Sequence, residues 1–215
     1  MKKKILSKNT ALTDLKVLAV IMQQALRLEK IQTNPIHKLG IPSQEISEKA
    51  ELSDEEISKC LTALENEPAW LKQTFLIGLH TGCRINETTL DMKLVDFDRN
   101  TITFGNPKGG RKKSFTRPLP KALLPVLLPL KGRAVSHELS KNPSSTFRRF
   151  FDRIKLPHLC FHCLRVTYVT RLARAGVPQP IAMRLVNHSS RNVHAIYQRL
   201  GVEDVRQYAD SVSFP

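Results

Sequence analysis

The stretch at 158–200 leaves this chain the least freedom. It holds His162, Arg165, His188 and Tyr197, separated by 3, 23 and 9 positions. A separation of three places His162 and Arg165 on one face of a helix, where both can reach a single anion. The residues after them read as the rest of that helix, stopping at Gly176, a residue suited to closing a helix. Pro178 and Pro180 punctuate the chain, residues 181–186 make a second short helix, and residues 191–200 a third that carries Tyr197. Two imidazoles, a guanidinium and a phenol on short helices with tight turns suit a reaction centred on a phosphate.

A second cluster lies upstream. Residues 69–80 read as a helix, apolar at Trp70, Leu71, Phe75, Leu76, Ile77 and Leu79, that runs into Thr81-Gly82-Cys83-Arg84-Ile85-Asn86-Glu87. Gly82 permits a sharp turn aiming Arg84 inward, and Glu87 can open the next helix and brace the guanidinium. Taken alone, such an Arg–Glu pair reads equally as a surface salt bridge. Residues 94–119 change character. Val95-Asp96-Phe97 and Thr101-Ile102-Thr103-Phe104 alternate as short strands, Gly105 to Gly110 is a turn, and residues 112–119 return as the opposing strand.

Together these motifs resemble the tyrosine recombinases, also called phage integrases. The resemblance rests on the His-x-x-Arg box at 162–165, the later His188, Tyr197 at 32 positions beyond Arg165, and the Thr-Gly-x-Arg-x-x-Glu run at 81–87; it extends over residues 50–205. It implies a mainly α catalytic domain with a small antiparallel β-sheet, of class α+β. It further implies Tyr197 as nucleophile, Arg84 and Arg165 as a clamp on the DNA phosphate, and His188 as a further hydrogen-bond donor. By the same resemblance, His162 is expected to accept or relay the tyrosine proton. The resemblance also implies a mobile lysine on the hairpin that protonates the departing 5′ oxygen, and the match points to Lys108. Arg111, Lys112 and Lys113 crowd the same tip and suit contact with the phosphate backbone. Neither a metal nor another cofactor is expected, because arginines supply the positive charge. The implied partner is double-stranded DNA, with a DNA-templated homo-oligomer, a tetramer on paired sites, formed from monomers.

Charge agrees. Lys plus Arg number 34 against 19 Asp plus Glu, a formal charge of +15, which favours a polyanionic partner without separating DNA from RNA or anionic lipid. Hydrophobic residues at 41% and charged residues at 25% give a globular balance. No apolar run reaches the ~18–20 residues of a membrane span, and Ser7, Lys8 and Asn9 interrupt any signal-like core after the opening lysines. A cytoplasmic protein is expected. Cys160 and Cys163 form a C-x-x-C around His162, but no second pair completes a tetrahedral metal site, and free, partly buried thiols are the expectation.

Domain organisation follows from the remaining chain. Residues 10–31 read as a helix capped by Thr10, with an apolar face from Leu12, Leu15, Leu18, Ala19, Met22, Ala25, Leu26 and Leu28. With Asn34-Pro35 behind it, this helix resembles the last of the recombinases' core-binding domain. Residues 1–32 are therefore expected to be a remnant of that domain, either cut or naturally short. Residues 33–50 are a linker with Pro35, Gly40 and Pro42, and 51–215 the catalytic domain. Ser53 with Glu56 resembles a capping box opening a helix to Leu64. Residues 120–131 suit a short, Pro-broken helix. Residues 144–154 suit an amphipathic one, with Phe147, Phe150, Phe151 and Ile154 opposite Arg148, Arg149 and Arg153. Asn187 stands where many family members carry Gly, and Val166 where many carry His; neither removes a catalytic group. Two other readings are open: nicking and closing of the type IB topoisomerase kind, and a DNA-binding prophage remnant or accessory factor without full recombination activity.

Overall fold

The computed structural model describes residues 7–42, 49–88, 90–105, 114–130 and 142–188. The chain divides into two compact units, 1–48 and 49–215. In the first, helix α1 spans Lys8–Arg27. Its cap is Ser7 rather than Thr10, because Ser7 stays extended and its Oγ accepts the Thr10 N–H at 3.2 Å. The helix stops at Arg27 instead of reaching 31, because the chain turns left-handed at Glu29. Of the expected apolar face, Leu12 is buried while Leu15, Leu18 and Leu28 are exposed. Asn34 organises the following turn, its Oδ1 accepting the Ile36 N–H at 2.9 Å.

The second unit is mainly helical around a three-stranded antiparallel sheet. Helix α2, Asp54–Leu64, opens on the expected capping box. Ser53 Oγ accepts from the Glu56 N–H at 3.2 Å, and the Glu56 carboxylate accepts from the Ser53 N–H at 3.0 Å. Helix α3, Ala69–Thr81, buries Leu71, Phe75 and Ile77 and lies against α6, Phe161–Arg174. Gly78 makes that approach possible, since a Cβ there would stand 2.5 Å from Phe161 Cζ. Helix α5, Pro143–Arg153, starts on Asn142, whose Oδ1 accepts the Ser145 N–H at 3.1 Å, with proline at the first helical position. Its Phe147, Phe150 and Phe151 join Phe75, Phe161 and Leu164 in one core; each such aromatic stabilises the fold by about 2 kcal/mol on burial. The opposite face is solvated and paired: Arg148 meets Asp152 at 3.6 Å and Arg153 meets Glu67.

A second core lies under the sheet, from Ile77, Leu90, Ile102, Phe104, Leu119, Leu123 and Leu127. The strands are β1 (Val95–Asp96), β2 (Thr101–Phe104) and β3 (Phe115–Pro118), in that order. Strand β1 is shorter than expected by Phe97, and β3 starts at Phe115. The register pairs Val95 with Ile102 and Phe104 with Phe115, so residues 106–113 connect β2 to β3. A 3-10 turn, Lys121–Leu123, runs into the short helix α4, Leu124–Leu127. Helix α6 ends before Gly176 at φ +72°, as its sequence suggests, and α7 spans Gln179–Val186. No helix among the described residues is long and apolar enough to cross a membrane.

Candidate active site

The ends of α3, α6 and α7 carry the described site residues. Helix α3 closes at Gly82, which adopts φ +59° and bonds its N–H to the Gly78 carbonyl at 2.8 Å. Glycine is needed twice over: the conformation is left-handed, and a Cβ would stand 2.7 Å from Tyr168 Cδ1. Two residues later Arg84 starts the 3-10 turn Ile85–Glu87, a shorter element than the helix expected there. The Glu87 carboxylate accepts from the Arg84 backbone N–H at 2.6 Å and from Arg84 Nη1 at 3.0 Å. The Arg84 side chain is 49% exposed and that of Glu87 is 11% exposed. A sheltered carboxylate thus holds a guanidinium that remains open to a ligand, rather than one turned inward.

Arg165 is the reverse case, buried at 1% exposure on α6. Its Nη1 donates to the Gly82 carbonyl at 2.5 Å, its Nη2 to the Val186 carbonyl at 2.6 Å, and its Nε to His188 Nε2 at 3.1 Å. One guanidinium therefore joins the end of α3, the end of α7 and an imidazole. A guanidinium can only donate, so His188 Nε2 accepts and the ring proton sits on Nδ1. His188 follows Asn187, which closes α7 at φ +55°. Asparagine tolerates that left-handed conformation, so it serves where glycine would be expected.

His162 occupies the first turn of α6, three residues from Arg165. Its pKa is pulled down to about 4, first by burial and then by the charges of Arg165, Arg84 and Lys49. The imidazole is neutral at pH 7 and can accept a proton. Those charges place Arg84, His162 and Arg165 in one electrostatic neighbourhood, joined to His188 through Arg165. The expected Lys108, Arg111, Lys112, Lys113 and Tyr197 fall outside the described residues. Tyr168, a competing phenol, is packed beneath Gly82, and burial raises its pKa.

Sequence reasoning missed two cations here. Lys49 acts on His162, as above. Arg117, on β3, is buried at 6% exposure, and its Nη1 donates to the carbonyls of Thr81 at 2.6 Å and Leu185 at 2.5 Å. The signal was in the alternation Phe115, Arg117, Leu119, which sets an arginine on the inward face of the strand. The four cysteines are free thiols. Cys160 Sγ lies 3.6 Å from Cys163 Sγ, and the Cys160 N–H donates to Cys163 Sγ at 3.3 Å. The hydrogen bond from Cys163 draws the Cys160 pKa down to about 6 against the opposing effect of burial, while Cys163 is pushed up. Among the described residues no group of His, Cys, Asp and Glu could hold a metal ion.

Comparison with known proteins supplies the family and the fold. Residues 50–203 match the phage integrase family. A XerC-like tyrosine recombinase of Caldanaerobacter subterraneus subsp. tengcongensis is 26% identical over 204 residues, covering 73% of this chain and 52% of the relative. A tyrosine recombinase of Thermosipho africanus is 26% identical over 185 residues, covering 78% of this chain and 63% of the relative. The chain thus spans about half the length of the first relative and under two thirds of the second. Among solved structures, the integrase of transposon Tn1549 in complex with a circular intermediate DNA superposes with a TM-score of 0.72. That match has 19% identity and covers 99% of this chain and 82% of the other. The likeness shows a shared fold.

Proposed function

Because the chain belongs to the phage integrase family, we propose that it cuts and rejoins DNA at specific sites through a 3′-phosphotyrosyl intermediate. The observation that carries this reading is the grouping of Arg84, His162, Arg165 and His188 at the ends of three helices, with Glu87 bracing Arg84 and Arg165 bonded to His188. Attack on a DNA phosphate builds negative charge on its non-bridging oxygens. Arg84 meets that charge from its half-exposed position, and buried Arg165 adds a second positive charge to the same neighbourhood. His188, with its proton on Nδ1, donates to a non-bridging oxygen. Neutral His162 accepts or relays the proton of Tyr197 as the phenol oxygen bonds to phosphorus. The bond from phosphorus to the 5′ oxygen breaks, and Lys108 protonates that oxygen. A 5′-hydroxyl from another strand then reverses the steps, displacing Tyr197. No metal or other cofactor enters the sequence.

The partner is double-stranded DNA, supported by the charge of +15; Arg111, Lys112 and Lys113 would grip its backbone. Strand exchange needs two sites, so we assign a DNA-templated tetramer built from monomers in the cytoplasm. Residues 51–215 would form the catalytic domain, 33–50 the linker and 1–32 the remnant of a core-binding domain. The division of the chain after residue 48 and the family match from residue 50 support that boundary. The test is a nicked suicide duplex, on which wild type should form a denaturant-resistant adduct and Tyr197→Phe should form none while still binding. Adducts with Tyr197→Phe would move the nucleophile elsewhere.

A further inference from the structure

Arg117 stands where its strand calls for hydrocarbon. It pairs with Ile102 across the sheet and occupies the buried position of β3, yet it is a cation with no carboxylate bonded to it among the described residues. An arginine does not shed its proton in a protein, so its burial carries a large desolvation cost. What offsets that cost is specific. Its Nη1 donates to the Thr81 and Leu185 carbonyls, in the last turns of α3 and α7, where helix carbonyls lack intrahelical partners and carry partial negative charge. Its guanidinium lies 4.2 Å from the centroid of Phe104 and 5.9 Å from that of Phe115.

These contacts coincide with the segments that deliver the site. Thr81 and Leu185 immediately precede Gly82 and Val186, whose carbonyls Arg165 holds. Arg84 emerges three residues after Thr81, and His188 three residues after Leu185. Phe104 and Phe115, the rings beside the guanidinium, pair with each other across β2 and β3. A leucine or valine at 117 would suit the burial, but it would take that donor from two carbonyls and loosen β3 from the helix ends.

We propose that Arg117 is a positioning residue for strand cleavage, holding in mutual register the two segments that carry Arg84 and His188. The proposal rests on the strand-transfer reading above and assigns Arg117 no contact with DNA.

The test is single-turnover cleavage of the suicide duplex at saturating protein, with thermal melting and DNA affinity measured on the same samples. Arg117→Met keeps the bulk and removes the donors. It should cleave about 100-fold more slowly, the loss typical of a displacement near 1 Å at a reacting centre, while binding DNA within threefold of wild type. Arg117→Lys keeps the charge and can still donate to both carbonyls, so it should recover about tenfold of that loss. If wild type forms no adduct, the strand-transfer reading fails and this inference falls with it. If wild type cleaves and folded Arg117→Met cleaves within threefold of it, only this inference is overturned. A general fall in affinity, with the rate restored at saturation, overturns it equally. Should Arg117→Met not fold, Arg117→Lys decides: a wild-type rate sinks the inference and a rate about tenfold lower supports it.

Discussion

Glu87 holds Arg84 at two points, through the backbone N–H at 2.6 Å and through Nη1 at 3.0 Å. Arg165 is held by two backbone carbonyls and an imidazole. The two arginines therefore separate by experiment. Replacing either with alanine should lower cleavage about 10²–10³-fold, the usual effect of removing a donor from a charged transition state. Arg165→Ala should also lower stability, because leaving a buried carbonyl without a donor costs about 1–3 kcal/mol. Arg84→Ala, at a half-exposed side chain, should melt close to wild type. Equal melting shifts would show that the bridge from α6 to the ends of α3 and α7 carries no stability.

His162 gives a pH dependence of defined sign. Its folded pKa is about 4 against an ordinary 6.5, so below pH 6.5 the unfolded chain binds a proton that the folded chain refuses. Its contribution to stability is complete above pH 6.5 and should fall steadily as pH drops towards 4. His80, lowered by burial, acts in the same sense. His162→Gln should flatten the curve of unfolding free energy against pH in that window and leave the contribution of His80. An unchanged slope would mean that His162 titrates normally. Because the imidazole stays neutral, cleavage should also persist at pH 5.5, where an ordinary histidine is mostly protonated.

The cysteines should react in a fixed order. Cys160, at about 6, is substantially thiolate at neutral pH, whereas burial pushes Cys60 up to about 12 and Cys83 up to about 11. Iodoacetamide at pH 7 should label Cys160 first, with Cys60 and Cys83 reacting after denaturant is added, as peptide mass spectrometry would resolve. Labelling of Cys60 or Cys83 ahead of Cys160 in the folded protein would contradict the assignment.

Much of this architecture was legible because it depends on residue types at fixed spacing. The capping box at Ser53, the left-handed closures at Gly82 and Gly176, and the pairing of Arg84 with Glu87 all follow from side chains that announce their partners. The bonds of Arg117 and the two Nη bonds of Arg165 do not, because their acceptors are backbone carbonyls and every residue type carries the same carbonyl. Only burial reveals which of 34 basic residues is used in this way. The cap of α1 was misread because Ser7 and Thr10 are both competent and local pattern cannot rank them. The apolar period of α1 was real, yet Leu15 and Leu18 are exposed, since periodicity says that a face exists and not that something covers it.

Gly78 faces Phe161 with no space for a single carbon between them. The helix bearing Arg84 just past its end therefore rests its backbone directly on side chains of the helix bearing His162 at its start. Any side chain added at position 78 has to displace the Phe161 ring or the Leu164 methyl. One carbon at this seam would thus disturb two core residues on the helix that also carries His162 and Arg165, far from any contact with a ligand.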